Sequence, residues 1–339
     1  MEAVAKPIAG QESSFKTRAR RFFATVSTEA VLVAFLGVVV LFFALESQYF
    51  FALENARNVL LAVSVLSVLA FPSTMLIISG NFDLSVASNA AFSGMLFAVI
   101  THGGQNSIVL GILVAVVAGT MVGALNGFLV NVVRVNSLIT TLGTLAIFRG
   151  LAKILSNGQT VRVAGFRFMS EGAWLPVGGG SYLVIPWAVF ILVAVAVLVG
   201  FILRQTVFGR KLYAIGANAV AARLVGIRTH LTVFATFVLT GALGGMAGLM
   251  LTSQLTAASP IAGLGLELSV VSAVVLGGAS LSGGRGTVVG TVLGILILGT
   301  VNNGMTIINL SSFWQEVARG AILIAAVAFD QLRIAMGGK

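Results

Sequence analysis

Three acidic side chains stand beside long apolar segments of this sequence, and they are the first candidates for chemistry. They are Asp83, Glu267 and Glu316. Because a charged group is costly inside a lipid bilayer, an acidic residue at such a position is a functional candidate by default. Asp83 precedes Leu84 and Ser85, where its carboxylate would either cap the next helix or face a substrate or a gate. Both interpretations stay open from the sequence.

The other two carboxylates have simpler interpretations. Glu267 precedes an apolar segment and would favour a helix N-terminus there through the helix dipole. Glu316 and Arg319 stand three residues apart, so they would share one helix face and neutralise each other. The sequence contains no chain of Asp, Glu and His that resembles a proton relay. This argues against an ion-driven secondary transporter.

Three amides inside apolar segments suit an uncharged ligand. Asn126 lies in one such segment, and Asn302 and Asn303 lie in another. An amide both donates and accepts hydrogen bonds, so it suits a neutral polyhydroxylated molecule. Hydrogen bonds between membrane helices would use the same groups equally well. Trp314, near the start of the last apolar segment, is more typical of an interfacial anchor than of a stacking platform for a sugar.

The composition predicts a membrane protein. The 339 residues are 58% hydrophobic and 9% charged, whereas soluble domains carry about 25% charged residues. The net charge of +10 does not indicate nucleic acid, because the basic residues stand beside apolar segments rather than in one patch. Without cysteine, and with two isolated histidines, the chain is expected to hold no disulfide and no metal. No G-x-S-x-G or H-E-x-x-H motif appears, and we expect no catalytic residue and no cofactor.

Apolar runs of spanning length predict an all-α polytopic membrane protein with about ten transmembrane helices, some of them broken or re-entrant. We place these runs at residues 30–45, 59–79, 84–101, 108–133, 138–155, 182–203, 231–253, 268–281, 287–308 and 313–330. The eighth run is short for a straight span, which predicts a broken or partly re-entrant element.

The basic residues predict the orientation. With the N-terminus in the cytoplasm, most of the 20 Lys and Arg residues fall in inside loops, as the positive-inside rule requires. We therefore expect a cytoplasmic tail at residues 1–29, a transmembrane domain at 30–332 and a second cytoplasmic tail at 333–339. Residues 204–230 form the main cytoplasmic loop of this domain.

That loop carries the signature of a short helix. Asn218 is a good N-cap, residues 219–225 are good or tolerable helix formers, and Gly226 is a natural C-terminal stop. This helix, about two turns long, cannot span a bilayer, and its nearly all-apolar surface is typical of a docking site for a soluble partner. The sequence has no G-x-x-x-x-G-K-[ST] loop, so any ATP hydrolysis would belong to another chain.

Glycine marks two further features. Residues 80–85 resemble residues 277–282, and each stretch lies between two apolar runs. Repeated interruptions of this kind are typical of transporters, in which they often lie near the substrate path. Four glycines at spacings of three and four lie on one predicted helix: Gly241, Gly244, Gly245 and Gly248. They predict either a helix interface that moves or static close packing.

Several motifs occur in an order typical of one family. They are SGNFDLS at 79–85, TTLGTLAIFRG at 140–150, NGQ at 157–159, the loop at 209–227, VVLGGASLSGGRG at 274–286 and the segment 302–315. On these motifs the chain resembles the permease subunits of bacterial ABC sugar importers of the ribose, xylose and arabinose type.

The resemblance implies import of a small neutral sugar or polyol, pentose-like in size, across the inner membrane. It also implies three partners beside the membrane lipid: a second permease subunit, identical or different, a cytoplasmic ABC ATPase and a periplasmic sugar-binding protein. No nucleic acid is expected. The alternatives are a branched-chain amino-acid permease of the related ABC type and an ion-coupled secondary transporter.

The resemblance also assigns residues. Asn218, Ala222, Arg223 and Gly226 match the motif expected to dock on the ATPase. Asp83, Ser85 and Ser282 match the turn motifs that lie along the substrate path. Four further residues are candidates for this path, namely Asn126, Asn302, Asn303 and Trp314. The chain departs from the family at Asn81 and Phe82, and at residues 135–137, where proline is common. We expect the bulkier Phe82 to alter the path, so the resemblance assigns the family and not one particular pentose.

Overall fold

The computed structural model describes residues 28–167, 171–178 and 181–335, and this part of the chain is mainly helical. It contains twelve α-helices: α1 (Thr28–Glu46), α2 (Leu53–Ile78), α3 (Val86–Ile100), α4 (Ile108–Asn131), α5 (Ser137–Leu155), α6 (Trp187–Gln205), α7 (Val207–Ala217), α8 (Ala219–Leu224), α9 (Thr229–Leu255), α10 (Leu266–Leu276), α11 (Val288–Ile307) and α12 (Ser312–Ala335). The strands are β1 (Val161–Arg162), β2 (Gly172–Gly178), β3 (Ser181–Pro186) and β4 (Ala257–Ala258).

Seven of these helices are long and apolar enough to cross a membrane, namely α1, α2, α4, α5, α6, α9 and α11. The shorter apolar helices α3 and α10 have 15 and 11 residues, fewer than the ~20 that a straight span needs. The predicted all-α polytopic fold is confirmed, and the eighth segment is indeed short and broken.

Helix α2 lies at the centre of the molecule. In its most apolar stretch of 18 residues, 94% of the residues are buried. The helix packs against α6, α9, α10 and α11. A helix that is apolar on all sides is stable when neighbours cover every face. The C-terminal end of α2 is therefore held in a fixed position inside the protein, and the turn that follows starts from that position.

Glycines allow three helices to cross at close range. Gly119 and Gly123 of α4 face Gly241 of α9, with only backbone atoms between the two helices. The Asn89 side chain of α3 fills the junction and donates to the carbonyls of Gly119 (3.3 Å) and Gly241 (3.0 Å). Close packing at the predicted glycine positions of α9 is thus confirmed.

One part of a predicted helix is wrong. Residues 182–186 were assigned to the span 182–203, but they belong to β3, which pairs antiparallel with β2, and α6 starts only at Trp187. The stretch is rich in Tyr, Val and Ile, which favour strands. Pro186 ends it, because proline suits the start of a helix and not its interior. A second difference is α7, which lies in the loop 204–230 where only one short helix was expected.

Candidate functional site

The two echoing turns begin with the same helix stop. After α2, Gly80 adopts a left-handed φ of 79°, and after α10, Gly278 adopts 90°. The amide of Asn81 then donates to the Leu76 carbonyl at 2.9 Å, as the amide of Ala279 does to the Val274 carbonyl at 3.1 Å. Both stops are Schellman motifs, in which glycine is favoured because it has no Cβ. In the structure Gly80 is therefore equivalent to Gly278, whereas the comparison of the two sequence stretches paired Gly80 with Gly277.

The two turns are in direct contact. The amide of Gly284, in the second turn, donates a hydrogen bond of 2.8 Å to the carbonyl of Ile78 at the end of α2. Gly216, at the end of α7, lies against both atoms, so that a Cβ there would overlap the Ile78 carbonyl and the Gly284 amide. Three backbone segments that are distant in sequence therefore meet at one point.

A cap, two buried side chains and one hydrogen bond hold helix α7 against this junction. Thr206 caps its start, accepting a hydrogen bond of 3.2 Å from the Gly209 amide. Leu212 and Ile215 are buried, and the Tyr213 hydroxyl donates to the Gly286 carbonyl at 2.8 Å. Burial raises the pKa of Tyr213, so the hydroxyl stays protonated and able to donate. We did not predict Gly216 or Tyr213, although Phe208, Leu212 and Ile215 follow the helical spacing i, i+4, i+7.

Helix α8 has the caps that the sequence predicts. The Asn218 side-chain oxygen accepts hydrogen bonds of 3.0 Å from the amides of Val220 and Ala221. At the other end, Gly226 has a φ of 83°, and the Ile227 amide donates to the Ala222 carbonyl at 3.0 Å. These caps compensate for the shortness of a helix that would be marginal on its own.

Opposite faces of α8 have opposite environments. Leu224 is 84% exposed and Val225 is 77% exposed, and the Arg223 side chain is exposed beside them. Ala222, in contrast, is buried in a cluster with Leu76 of α2 and Phe237 of α9. Two of the four residues assigned to docking therefore differ in environment. Ala222 packs α8 against α2 and α9 of the same chain, whereas Arg223 lies on the exposed surface.

Asp83, Ser85 and Asn126 form one buried hydrogen-bonded group. The amide and hydroxyl of Ser85 both donate to Asp83 Oδ1, at 2.8 and 2.6 Å. Asn126, from α4, donates through Nδ2 to the Ser85 hydroxyl at 2.8 Å. Asp83 thus satisfies the backbone just before α3 and ties the first turn to α4. Asn126 Oδ1 is left without a hydrogen-bond partner in the described part of the chain.

The remaining candidates do not join this group. Ser282 is exposed on the second turn, and its amide donates to Ser280 Oγ at 3.4 Å. Asn303 Nδ2 donates to Asn55 Oδ1 at 2.7 Å, and Asn55 lies in the first turn of α2, about 35 Å from its end at 1.5 Å per residue. Asn302 is Asn303's neighbour on α11, and Trp314, 59% exposed, lies at the start of α12. By position along α2, the candidates therefore fall into two groups. Those near its C-terminal end are Asp83, Ser85, Asn126 and Ser282, and those near its N-terminal end are Asn302, Asn303 and Trp314.

Comparison with known proteins matches residues 55–327 to a family model described as the permease component of the branched-chain amino acid transport system. The L-arabinose ABC transporter permease protein AraH of Azospirillum brasilense is 40% identical over 303 residues, 88% of this chain and 87% of that protein. The ribose import permease protein RbsC of Bacillus subtilis is 37% identical, over 89% and 92% of the two chains. The D-allose transport system permease protein AlsC of Escherichia coli is 34% identical, over 87% and 89%.

Proposed function

This chain belongs to the family of permease components that also contains the arabinose, ribose and allose permeases, and we propose that it imports a small neutral sugar or polyol of pentose size. It is a multi-pass membrane protein and a transport component. ATP is bound and hydrolysed by a separate cytoplasmic ATPase. The supporting observation in the fold is α8, a capped helix of 6 residues that is too short to span a bilayer and has an exposed apolar face.

The sugar assignment is favoured over the branched-chain amino acid. The family model takes its description from amino-acid transport, but the three relatives described above are sugar permeases at 34–40% identity over most of their lengths. The polar side chains of the two candidate groups are mainly amides and hydroxyls, which suit a neutral ligand. A zwitterion would need more fixed charges.

The proposed coupling route begins at α8. Its exposed surface, with Leu224, Val225 and Arg223, docks on the ATPase, while Asn218 and Gly226 keep the helix formed. Closure of the ATPase on ATP moves α8 and the adjoining α7. Because Gly216 lies against Ile78 and Gly284, that movement reaches both turns. The rest of the protein follows by alternating access.

The candidate path runs between the two groups described above. Asn302, Asn303 and Trp314 lie towards the extracytoplasmic entrance. Asp83, Ser85, Asn126 and Ser282 set the shape of the turns near the cytoplasmic exit. In this arrangement residues 1–29 and 333–339 are cytoplasmic tails flanking the transmembrane domain at 30–332. Two permease subunits, identical or different, assemble with the ATPase and a periplasmic sugar-binding protein in the inner membrane.

Uptake by the complete transporter tests this proposal. The chain is produced with its ATPase and binding protein in cells that lack other pentose importers, and uptake of labelled L-arabinose, D-ribose, D-allose and L-leucine is compared. We expect uptake of at least one sugar, dependent on an ATPase with intact hydrolysis and insensitive to a protonophore. Uptake of leucine alone would select the amino-acid alternative. Uptake that survives loss of the ATPase and stops with the protonophore would select the ion-coupled one.

A further inference from the structure

The loop between α9 and α10, residues 256–265, covers a narrow space at the end of α9 opposite to α8. In the proposed orientation this end is extracytoplasmic. Its strand β4 pairs with β1 through Ala257–Arg162 and Ala258–Val161. Beneath it lies a small crevice between α3 and α9, whose lining includes Ala91, Gly94, Gly248, Thr252, Ala258 and Ala262. Ala91 and Ala258 are each 3% exposed. The loop must move before anything can reach this crevice from outside.

One side chain holds the loop in place. Arg149 of α5 is only 8% exposed, and its Nη1 donates to the carbonyls of Pro260 (3.2 Å) and Ala262 (2.7 Å). Its Nε and Nη2 are buried and have no hydrogen-bond partner among the described residues. This conformation therefore leaves part of the hydrogen-bonding capacity of Arg149 unused. It is costly in free energy, because the unsatisfied donors belong to a buried guanidinium.

Glu267 has the matching unused group. Its Oε1 accepts a hydrogen bond of 3.2 Å from the Gly265 amide. Its Oε2 is buried and lacks a hydrogen-bond partner within the described chain. Glu267 lies near Arg149, because the Gly265 amide that it accepts from and the Ala262 carbonyl that Arg149 donates to belong to the same loop. Arg319 of α12 also approaches, since a Cβ on Gly265 would lie 2.9 Å from its Nη1.

We propose that Arg149 is a two-position latch on the extracytoplasmic loop. In the closed position it holds the Pro260 and Ala262 carbonyls, and when the loop lifts it pairs with the Glu267 carboxylate through its unused donors. Each position satisfies groups that the other leaves unpaired, which gives the element two discrete states. The proposal rests on the proposed function, because an importer must open this side to receive its substrate. Arg149 and Glu267 are positioning residues for that opening.

The absence of cysteine from the chain makes the test direct. Ala91→Cys, beneath the loop, is labelled in membrane vesicles containing the complete transporter by a membrane-impermeant maleimide added on the extracytoplasmic side. Arg149→Gln and Glu267→Gln are then introduced separately into this background. Lys153→Gln is the matched control, because Lys153 is exposed one turn further along α5. Asn106→Cys, in an exposed loop, reports whether each variant is folded and inserted.

We expect Arg149→Gln to raise the labelling rate of Ala91→Cys by about tenfold or more, since it removes hydrogen bonds from a charged donor. Glu267→Gln should lower the rate, because the lifted loop loses its partner, and Lys153→Gln should leave it unchanged. Labelling at Asn106→Cys should be the same in all variants. Arg149→Lys should restore part of the closure.

An Arg149→Gln variant that labels at the original rate would overturn the latch. So would a Glu267→Gln variant that labels at the original rate or faster, since Glu267 would then be no partner in the open state or only a support for the closed one. If Ala91→Cys itself impairs insertion, Ala258→Cys on the loop serves as the reporter. Because labelling needs no sugar, a failure of sugar uptake in the wild-type transporter would count against the proposed function and not against the latch.

Discussion

The amide of Gly284 donates a hydrogen bond of 2.8 Å to the carbonyl of Ile78, and Gly216 is packed against both residues. The bond joins two turns that are far apart in the chain. The bond lies beside the end of α7. It therefore connects the two turns to α7 and α8, the two helices that the described chain has within the loop 204–230.

Gly216→Ala is expected to reduce sugar uptake by about tenfold, because overpacking a tight contact costs roughly 1–3 kcal/mol and here the added Cβ meets backbone atoms that cannot rotate away. Gly200→Ala on α6 is the matched control, since a Cβ there meets nothing within 4 Å in the described structure. Uptake and substrate-stimulated ATPase activity are measured in the same vesicles. Full uptake by Gly216→Ala would show that the contact has no part in coupling.

Tyr213→Phe is expected to be a milder change at the same junction. It removes the hydrogen bond to the Gly286 carbonyl, worth about 0.5–1.5 kcal/mol, and keeps the ring. Because burial raises the Tyr213 pKa, folding favours the protonated hydroxyl. Its contribution is complete below a pH of about 10 and is lost as pH rises through the raised pKa. Thermal unfolding should therefore show a wild-type advantage that is constant at neutral pH. An advantage that disappears near neutrality would contradict this assignment.

Leu224→Asp should separate docking from folding. Leu224 is 84% exposed, so the change should alter stability by less than about 0.5 kcal/mol while placing a charge on the apolar surface of α8. We expect normal membrane levels, loss of ATPase co-purification and loss of uptake. Val207→Asp, at a 57% exposed position of α7, is the control and should retain the ATPase. Retention of the ATPase by Leu224→Asp would argue against docking through this face.

Asp83 can be tested with two substitutions that differ in shape. Asp83→Ala leaves the Ser85 amide and hydroxyl without their acceptor and should cost about 1–3 kcal/mol. Asp83→Asn keeps an oxygen for the Ser85 amide, so it should retain the fold and most of the uptake. Thermal stability and uptake are measured for both variants. A stable Asp83→Asn that no longer transports would instead assign the negative charge to substrate or gate.

The sequence was sufficient for elements whose signals are local. The caps of α8 depend on Asn218 and Gly226 within nine residues of chain, and both were predicted. The apolar runs likewise gave most spans within a few residues. The hairpin at β3 was missed because a short apolar stretch rich in β-branched residues resembles the start of a membrane helix until Pro186 is given its proper weight.

The site could be predicted only in part, because its contacts are long-range. Asp83 and Ser85 are neighbours in sequence, but Asn126 joins them only when α3 and α4 pack together. Nothing local marks Gly216 among 40 glycines, since its requirement comes from Ile78 and Gly284. The same is true of Arg149, whose partners Pro260 and Ala262 lie on a distant loop.

The junction at Gly216 also bears on how transporters of this kind can diversify. Its hydrogen bond joins two main-chain groups, and its close contact depends on a missing side chain. Substitutions of neighbouring side chains can therefore accumulate without disturbing the joint, as long as the glycine is kept. The joint is in this sense modular, because it depends on main-chain atoms and one missing side chain and not on the identity of the neighbouring residues.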